Sequence, residues 1–402
     1  MEAKGEAMKG TDRLKSPLQF SEDLYQRMLE INKGIEKLAL YEFRYALDNI
    51  IPPGGWDLLE LDEPDRIESM ITKREFFTSI QLKNREKDRI VLDANIARLT
   101  RMLLVGLLQG KYDQDWVNRL FYFDVRGFYF LPRTVYFTDK SLAHFGGKPY
   151  RRFDERPKKF DEVQDISYKE FQAANEEIDQ ALIALIQQLT RLRGTPVLIT
   201  LAGPTAAGKT EITERLMEAF EKEGKSTTSI EMDNFLLDRE LREGKSIDRS
   251  TIHYDLFTRC LKDILQGKKI TTPCYDSSDT TSSHDPQGNL RPGKHTIEVP
   301  PGDVIFLEGN FPFQVPEVRS LIQFLVVYLT DDPIRLKRKW KRDVDYRKNY
   351  DVSHFRNRFF MTQFLRAEDC FRSMIEQADI VADTTHAALW ITPEIERSVS
   401  GS

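Results

Sequence analysis

Cysteine is scarce in this chain: Cys260, Cys274 and Cys370 are three residues in 402, odd in number and far apart. That excludes a disulfide framework and a paired-cysteine metal knuckle, and it points to a reducing, cytoplasmic setting. Histidine is nearly as sparse, with six residues and no HxxxH spacing, so a zinc site is not expected. Long apolar runs are missing. The longest, such as MLLVGLL and FLVVYL, are too short for a bilayer span, and the opening MEAKGEAMKG carries charge where a secretory leader needs apolar residues. No membrane partner is expected. A large excess of charge is also lacking, since a net charge of -5 gives no global pull toward nucleic acid. No fixed-period repeat or low-complexity tract appears.

What is present suits a folded chain of about two domains: 40% hydrophobic and 31% charged residues over 402 positions. Residues 1–20 read as a loose tail. Residues 21–193 read as a mostly helical N-terminal domain. In it, Leu24, Met28, Ile31, Ile35, Leu38, Tyr41 and Tyr45 recur at helical spacing, which predicts one amphipathic helix up to IPPGG. REKDRIVLDANIARLTRMLLVGLLQG predicts a second helix stopped by Gly110, and RGFYFLPRTVYFTDKS predicts one or two short strands. A last helix opens with a Ser167–Glu170 capping box and stops at Gly194. No motif in this half names a role; oligomerisation, acceptor selection and regulation all stay open.

Residues 194–390 alternate apolar strands with helices, and 391–402 read as a tail. Strands are expected at VLITLA (197–202), SIEM, DVIFLE, FLVVYL and DIVAD. Fully apolar strands in such alternation predict a parallel sheet between helices, a three-layer α/β fold. Between the first strand and its helix lies GPTAAGKT, comprising Gly203, Pro204, Thr205, Ala206, Ala207, Gly208, Lys209 and Thr210, with Glu211 next. This matches GxxxxGK[ST] in the context the motif requires. Glycines let successive amides face a phosphate, Lys209 supplies a point charge, and the Thr210 hydroxyl suits Mg²⁺. The pattern predicts nucleoside triphosphate binding. No NKxD follows it, which weakens a GTPase reading.

Four further stretches follow: IEMDNFL, HYDLFTRCLKDILQGKKITTPCYD, DVIFLEGNFPF and the basic DDPIRLKRKWKRDVDYRK. Their order and spacing over about 195–385 resemble the uridine kinase and phosphoribulokinase family, whose kin include pantothenate kinase. The resemblance implies a P-loop kinase that moves the γ-phosphate of Mg·ATP to a small-molecule hydroxyl, a nucleoside or a sugar first. It makes Asp233 the general base, places Thr210, Glu308 and Asp233 around the metal, and makes Lys209, Arg338 and Arg342 the catalytic cations. Arg335, Arg338 and Arg342 fall on one helical face. His253, Asp255, Tyr275 and Asp276 match the acceptor-wall motif, and His284, Arg291 and His295 in the long polar loop are candidates for further acceptor contacts. One departure stands out. Ile252 occupies the position where uridine kinases commonly carry a ribose-holding Asp, so the acceptor need not be uridine. Two rival classes predict other behaviour: a regulatory ATP-binding protein would not turn over, and a nucleic-acid-dependent ATPase would be stimulated by DNA or RNA.

Overall fold

The computed structural model describes residues 16–73, 83–86, 89–125, 127–153, 168–242, 245, 249–309, 316–345 and 370–401. The described chain forms two compact units that divide after Arg133. Among the described residues no helix is long and apolar enough to cross a membrane.

The first unit contains helices α1 (Pro17–Ile31), α2 (Leu40–Ile50), α3 (Pro64–Ile71), α4 (Ala94–Leu108) and α5 (Gln114–Leu120). Two antiparallel hairpins accompany them, β1 (Lys83–Glu86) with β2 (Arg89–Val91) and β3 (Phe121–Asp124) with β4 (Tyr129–Pro132). Helix α4 is its centre: Ile96, Leu99, Met102, Leu103, Leu104, Val105 and Leu107 are all buried. From Met102 to Leu107 every residue of α4 is buried, so its second half runs through the interior of this unit. Gly110, at φ +68°, follows α4 as the spacing requires.

The single helix predicted up to Ile50 is in fact two. Asn32 stops α1 by bonding locally: its Oδ1 accepts from the Gly34 amide at 2.8 Å, and its Nδ2 donates to the Phe123 carbonyl at 3.0 Å. An amide side chain that satisfies nearby backbone competes with the helix. The break resets the phase. Leu24, Met28 and Ile35 are buried as expected, but Tyr41 and Tyr45 are exposed, and Phe43, Leu47 and Ile50 form the inward face of α2.

The second unit is built on a seven-stranded sheet in the order β5 (Arg151–Arg152), β15 (Ala388–Ile391), β14 (Ile380–Asp383), β13 (Phe324–Leu329), β6 (Val197–Ala202), β12 (Val304–Gly309) and β7 (Thr227–Glu231). From β14 to β7 all pairs are parallel; β15 and β5 join antiparallel at one edge. Two short antiparallel pairs stand apart from this sheet, β8 (Ile270–Thr272) with β11 (Ile297–Val299) and β9 (Tyr275–Asp276) with β10 (Thr281–Ser282). The central strands β6 and β13 bury every residue, because alternate side chains enter two different cores. Val197, Ile199 and Leu201 face one with helices α7 (Tyr168–Arg193), α8 (Lys209–Lys222) and α12 (Pro393–Ser400). Leu198 and Ala202 face the other with α9 (Tyr254–Leu265) and α11 (Arg372–Ile375). Helix α10 (Asp332–Asp345) follows β13, and a short helix α6 (Asp139–His144) precedes β5.

The three-layer α/β expectation holds, but the boundaries differ from 194 and 390. Helix α7 belongs with the sheet, since Ile178, Leu182, Leu185, Ile186 and Leu189 pack on it. The expected tail is α12, whose Ile395 and Val399 close the same core. Gly194 does stop α7, at φ +81°. The proposed Ser167 cap lies outside the described residues.

The corrected phase of α2 makes a test. Tyr41→Ser with Tyr45→Ser is expected to leave the thermal midpoint unchanged, whereas Leu47→Ala costs about 2–5 kcal/mol, both read by calorimetry. Equal losses would restore the single-helix phase.

Candidate phosphate-transfer site

The loop between β6 and α8 turns through three left-handed positions: Gly203 at φ +152°, Ala206 at +60° and Gly208 at +109°. At two of them a side chain has no room. A Cβ on Gly203 would stand 2.2 Å from the Tyr328 carbonyl oxygen, and one on Gly208 would stand 2.7 Å from Cε1 of Phe171. The loop is gripped from its far side: the Thr330 hydroxyl donates to the Ala207 carbonyl at 2.8 Å, and Arg335 donates to the Thr205 carbonyl at 3.2 Å. Lys209 Nζ rests on the Gly203 and Pro204 carbonyls, both at 3.2 Å.

Glu308, at the end of β12, accepts a hydrogen bond from the Thr210 hydroxyl at 2.8 Å. Burial pushes its carboxyl up to about 7, although Lys209 and the Thr210 bond pull it down. Burial lowers the Lys209 ammonium from its ordinary value, opposed by Glu308 and then Asp233, while Arg342 lowers it further. Lys209, Thr210, Glu308, Asp233 and Arg342 are therefore one electrostatic group. Asp233 stands exposed on a 3-10 turn, Met232–Phe235, directly after β7. Glu231, which the sequence reading passed over, is the register partner of Glu308 on the neighbouring strand, and burial and Asp233 raise its carboxyl.

The three arginines of α10 share a face, as their spacing predicts, but do different things. Arg335 is wholly buried, bonded to Asp332, to the Thr330 carbonyl at 3.0 Å and to the Tyr136 hydroxyl at 2.7 Å. It braces the loop rather than covering it. Arg338 pairs with Glu211, which stands in the first turn of α8, and Arg342 is partly exposed.

A polar wall ties itself to the segment that carries Asp233. The Tyr275 amide donates to Asn234 at 3.2 Å, the Ser282 amide donates to Asp238 at 2.7 Å, and Arg291 forks onto Asp238 at 3.1 and 2.6 Å. His253 is buried against the Ser282 hydroxyl at 3.0 Å, and its ring lies 5.9 Å from that of His284. Burial, then His284, pushes His253 down to about 4, so its imidazole is neutral. His253, Tyr275, His284 and Arg291 thus meet in one wall. Asp255 and Asp276 do not join them: Asp255 is exposed in the first turn of α9, and Asp276 is exposed in a turn where it accepts from the Ser278 amide at 2.8 Å. Ile252 is buried in the sheet-side core, so no carboxylate stands there. Asn234, Asp238 and Ser282 were invisible in the sequence, because single polar residues in a loop carry no spacing signal.

These oxygen donors fit a hard divalent cation. Thr210 and Glu308 already approach to 2.8 Å, and the burial that keeps Glu308 from ionising would be offset by a cation beside it. Among the described residues no group of three or more His, Cys, Asp or Glu could hold a metal ion by itself. Mg²⁺ needs few protein ligands, since it keeps waters and takes phosphate oxygens.

The sequence profile of the Phosphoribulokinase / Uridine kinase family matches residues 198–387. A uridine kinase of Brevibacillus brevis is 32% identical over 38% of this chain and 69% of its own length. A protein of Arabidopsis thaliana named inorganic pyrophosphatase TTM2 is 28% identical over 36% of this chain and 20% of its own length. Among solved structures, D-glycerate 3-kinase from Cryptococcus neoformans is similar at 15% identity, over 52% of this chain and 97% of its own, with a TM-score of 0.38.

In the free protein the Glu308 carboxyl should titrate near pH 7, followed by NMR of labelled glutamate carboxyl carbons. Lys209→Met and Thr210→Val should each move that midpoint upward, because both groups lower it in the native site. The folded value lies above the ordinary 4.5, so this group's proton favours the folded state, and its contribution to stability is lost as pH rises from 4.5 to about 7. A midpoint near 4.5 would refute the buried placement.

Proposed function

Because the chain belongs to the phosphoribulokinase and uridine kinase family, we propose that it transfers the γ-phosphate of Mg·ATP to a hydroxyl of a small molecule, a nucleoside or a sugar-like alcohol. The observation that carries this reading is the placement of Asp233 within the electrostatic reach of Lys209 and Glu308, at the strand ends beside the phosphate loop. A regulatory nucleotide sensor would not need a carboxylate there.

In this reading Lys209 leaves the Gly203 and Pro204 carbonyls for the β- and γ-phosphates. Asp233 accepts the acceptor's proton as its oxygen attacks phosphorus, and the bond from phosphorus to the β,γ-bridging oxygen breaks toward ADP. Arg338 and Arg342 neutralise the charge that spreads over the moving phosphoryl group. Thr210 and Glu308 would hold Mg²⁺, with Asp233 beside them, and the cation would neutralise the phosphates when bound. The wall of His253, Tyr275, His284 and Arg291 faces the acceptor; Arg291 is bonded to Asp238, and the buried neutral imidazole of His253 suits a hydroxyl partner. No carboxylate stands at Ile252 to clamp a ribose diol, so the acceptor need not be uridine. Three cysteines outside any disulfide support a reducing compartment, the cytoplasm.

The test is ADP release from Mg·ATP with nucleosides, pentoses, tetritols, glycerate, ribulose 5-phosphate and pantothenate. One compound is expected to raise turnover by orders of magnitude, with Asp233→Asn losing about 10²- to 10⁴-fold in kcat and Lys209→Ala losing activity. ATP binding without stimulation by any acceptor, and indifference to Asp233→Asn, would favour the sensor.

A further inference from the structure

Phe171 lies on α7, upstream of the residues 198–387 that match the family. Its position is fixed by a buried clamp. Asp179, two turns further on, accepts from the Tyr328 hydroxyl at 2.7 Å and from Arg215 of α8 at 2.6 Å. The helix is thereby locked to the central strand β13 and to the helix that opens at the phosphate loop.

Three residues from two elements of the transfer site, the loop and α10, meet at the Phe171 ring. Gly208 of the loop lies against it so closely that a Cβ there would reach within 2.7 Å. Ile334 of α10 packs with it in a small buried cluster. The Arg338 guanidinium carbon stands 3.7 Å from the ring centroid. Arg338 donates through Nη2 to Glu211, while its Nη1 is buried and has no hydrogen-bond partner among the described residues. An arginine held by an aromatic face and one carboxylate has few ways to turn, and it keeps a donor for an anion.

We propose that Phe171 is a positioning residue for nucleotide binding and phosphoryl transfer: its ring is the platform that holds Arg338 beside the phosphate loop, ready for a phosphate oxygen. This rests on the reading above that the loop binds ATP. It also gives α7 a part in the site: the segment ahead of the loop supplies a surface that the loop and α10 lack. A leucine would fill the space at Phe171 but offer no negative face to a guanidinium, and lysine at 338 would keep the charge but lose the flat stack.

The test is a double-mutant cycle on the full chain, read by displacement of a fluorescent ATP analogue with ATP and Mg²⁺, with melting curves as a folding control. Phe171→Leu and Arg338→Ala are each expected to weaken ATP binding by about five- to thirtyfold, the range from an exposed to a desolvated cation–π contact. The double variant should be no weaker than Arg338→Ala alone, and Phe171→Tyr should recover most of what Phe171→Leu loses. If Phe171→Leu does not fold, Phe171→Met with Arg338→Lys gives the same comparison. Independent, multiplying losses, or full affinity in Phe171→Leu, would overturn the platform while leaving ATP binding intact. Absence of ATP binding by the unaltered protein would overturn both this inference and the reading under it.

Discussion

The contact between Gly203 and the backbone of Tyr328 governs the second unit. The chain leaves β6 at φ +152°, where a Cβ would lie 2.2 Å from the Tyr328 carbonyl, so only glycine lets the loop turn there. Tyr328 then serves three neighbours. Its carbonyl borders Gly203, its ring lies 3.3 Å from the Cβ position of Gly208, and its hydroxyl bonds Asp179 on α7. Just beyond it, Thr330 and Arg335 take loop carbonyls from behind. The loop's shape, the seat of α7 and the start of α10 all follow from one strand packed against one turn.

The second constraint is charge balance at the strand ends. A half-buried ammonium, two strand-end carboxyls at Glu231 and Glu308, and Asp233 share a small space with Arg342. In the free protein, Lys209 spends its donors on loop carbonyls, and Glu308 is only partly ionised at neutral pH. The site is therefore balanced without ligand but weakly so. In the proposed reading, phosphates and a cation would offer each group a better partner, with the neutralising groups already in position.

Much of the second unit was legible because its signals are dense and local. Strands 197–202 and 324–329 were readable to the residue, since burial on both faces leaves unbroken apolar runs. The phosphate loop was legible because φ angles and close approach admit few residue types. What escaped depended on distant contacts. Asn32 broke a helix whose periodicity looked continuous, because its partner, the Phe123 carbonyl, is 91 positions away. Helix α7 looked like part of a helical domain because its apolar stripe does not say which surface covers it. Arg335 shared a face with Arg338 and Arg342, yet one turn of helix separates a core position from the site. In the wall, His253 and Arg291 were noticed as residue types, while Asp238, which joins Arg291 to the segment of Asp233, was not.

The central claim is that a hydroxyl, rather than water, receives the phosphate. Phosphorus-31 NMR of Mg·ATP incubated with the protein and the mixed alcohol panel tests it most directly. The account predicts a new phosphomonoester resonance that grows in step with ADP. Orthophosphate growing alone, with no ester signal from any acceptor, would contradict it.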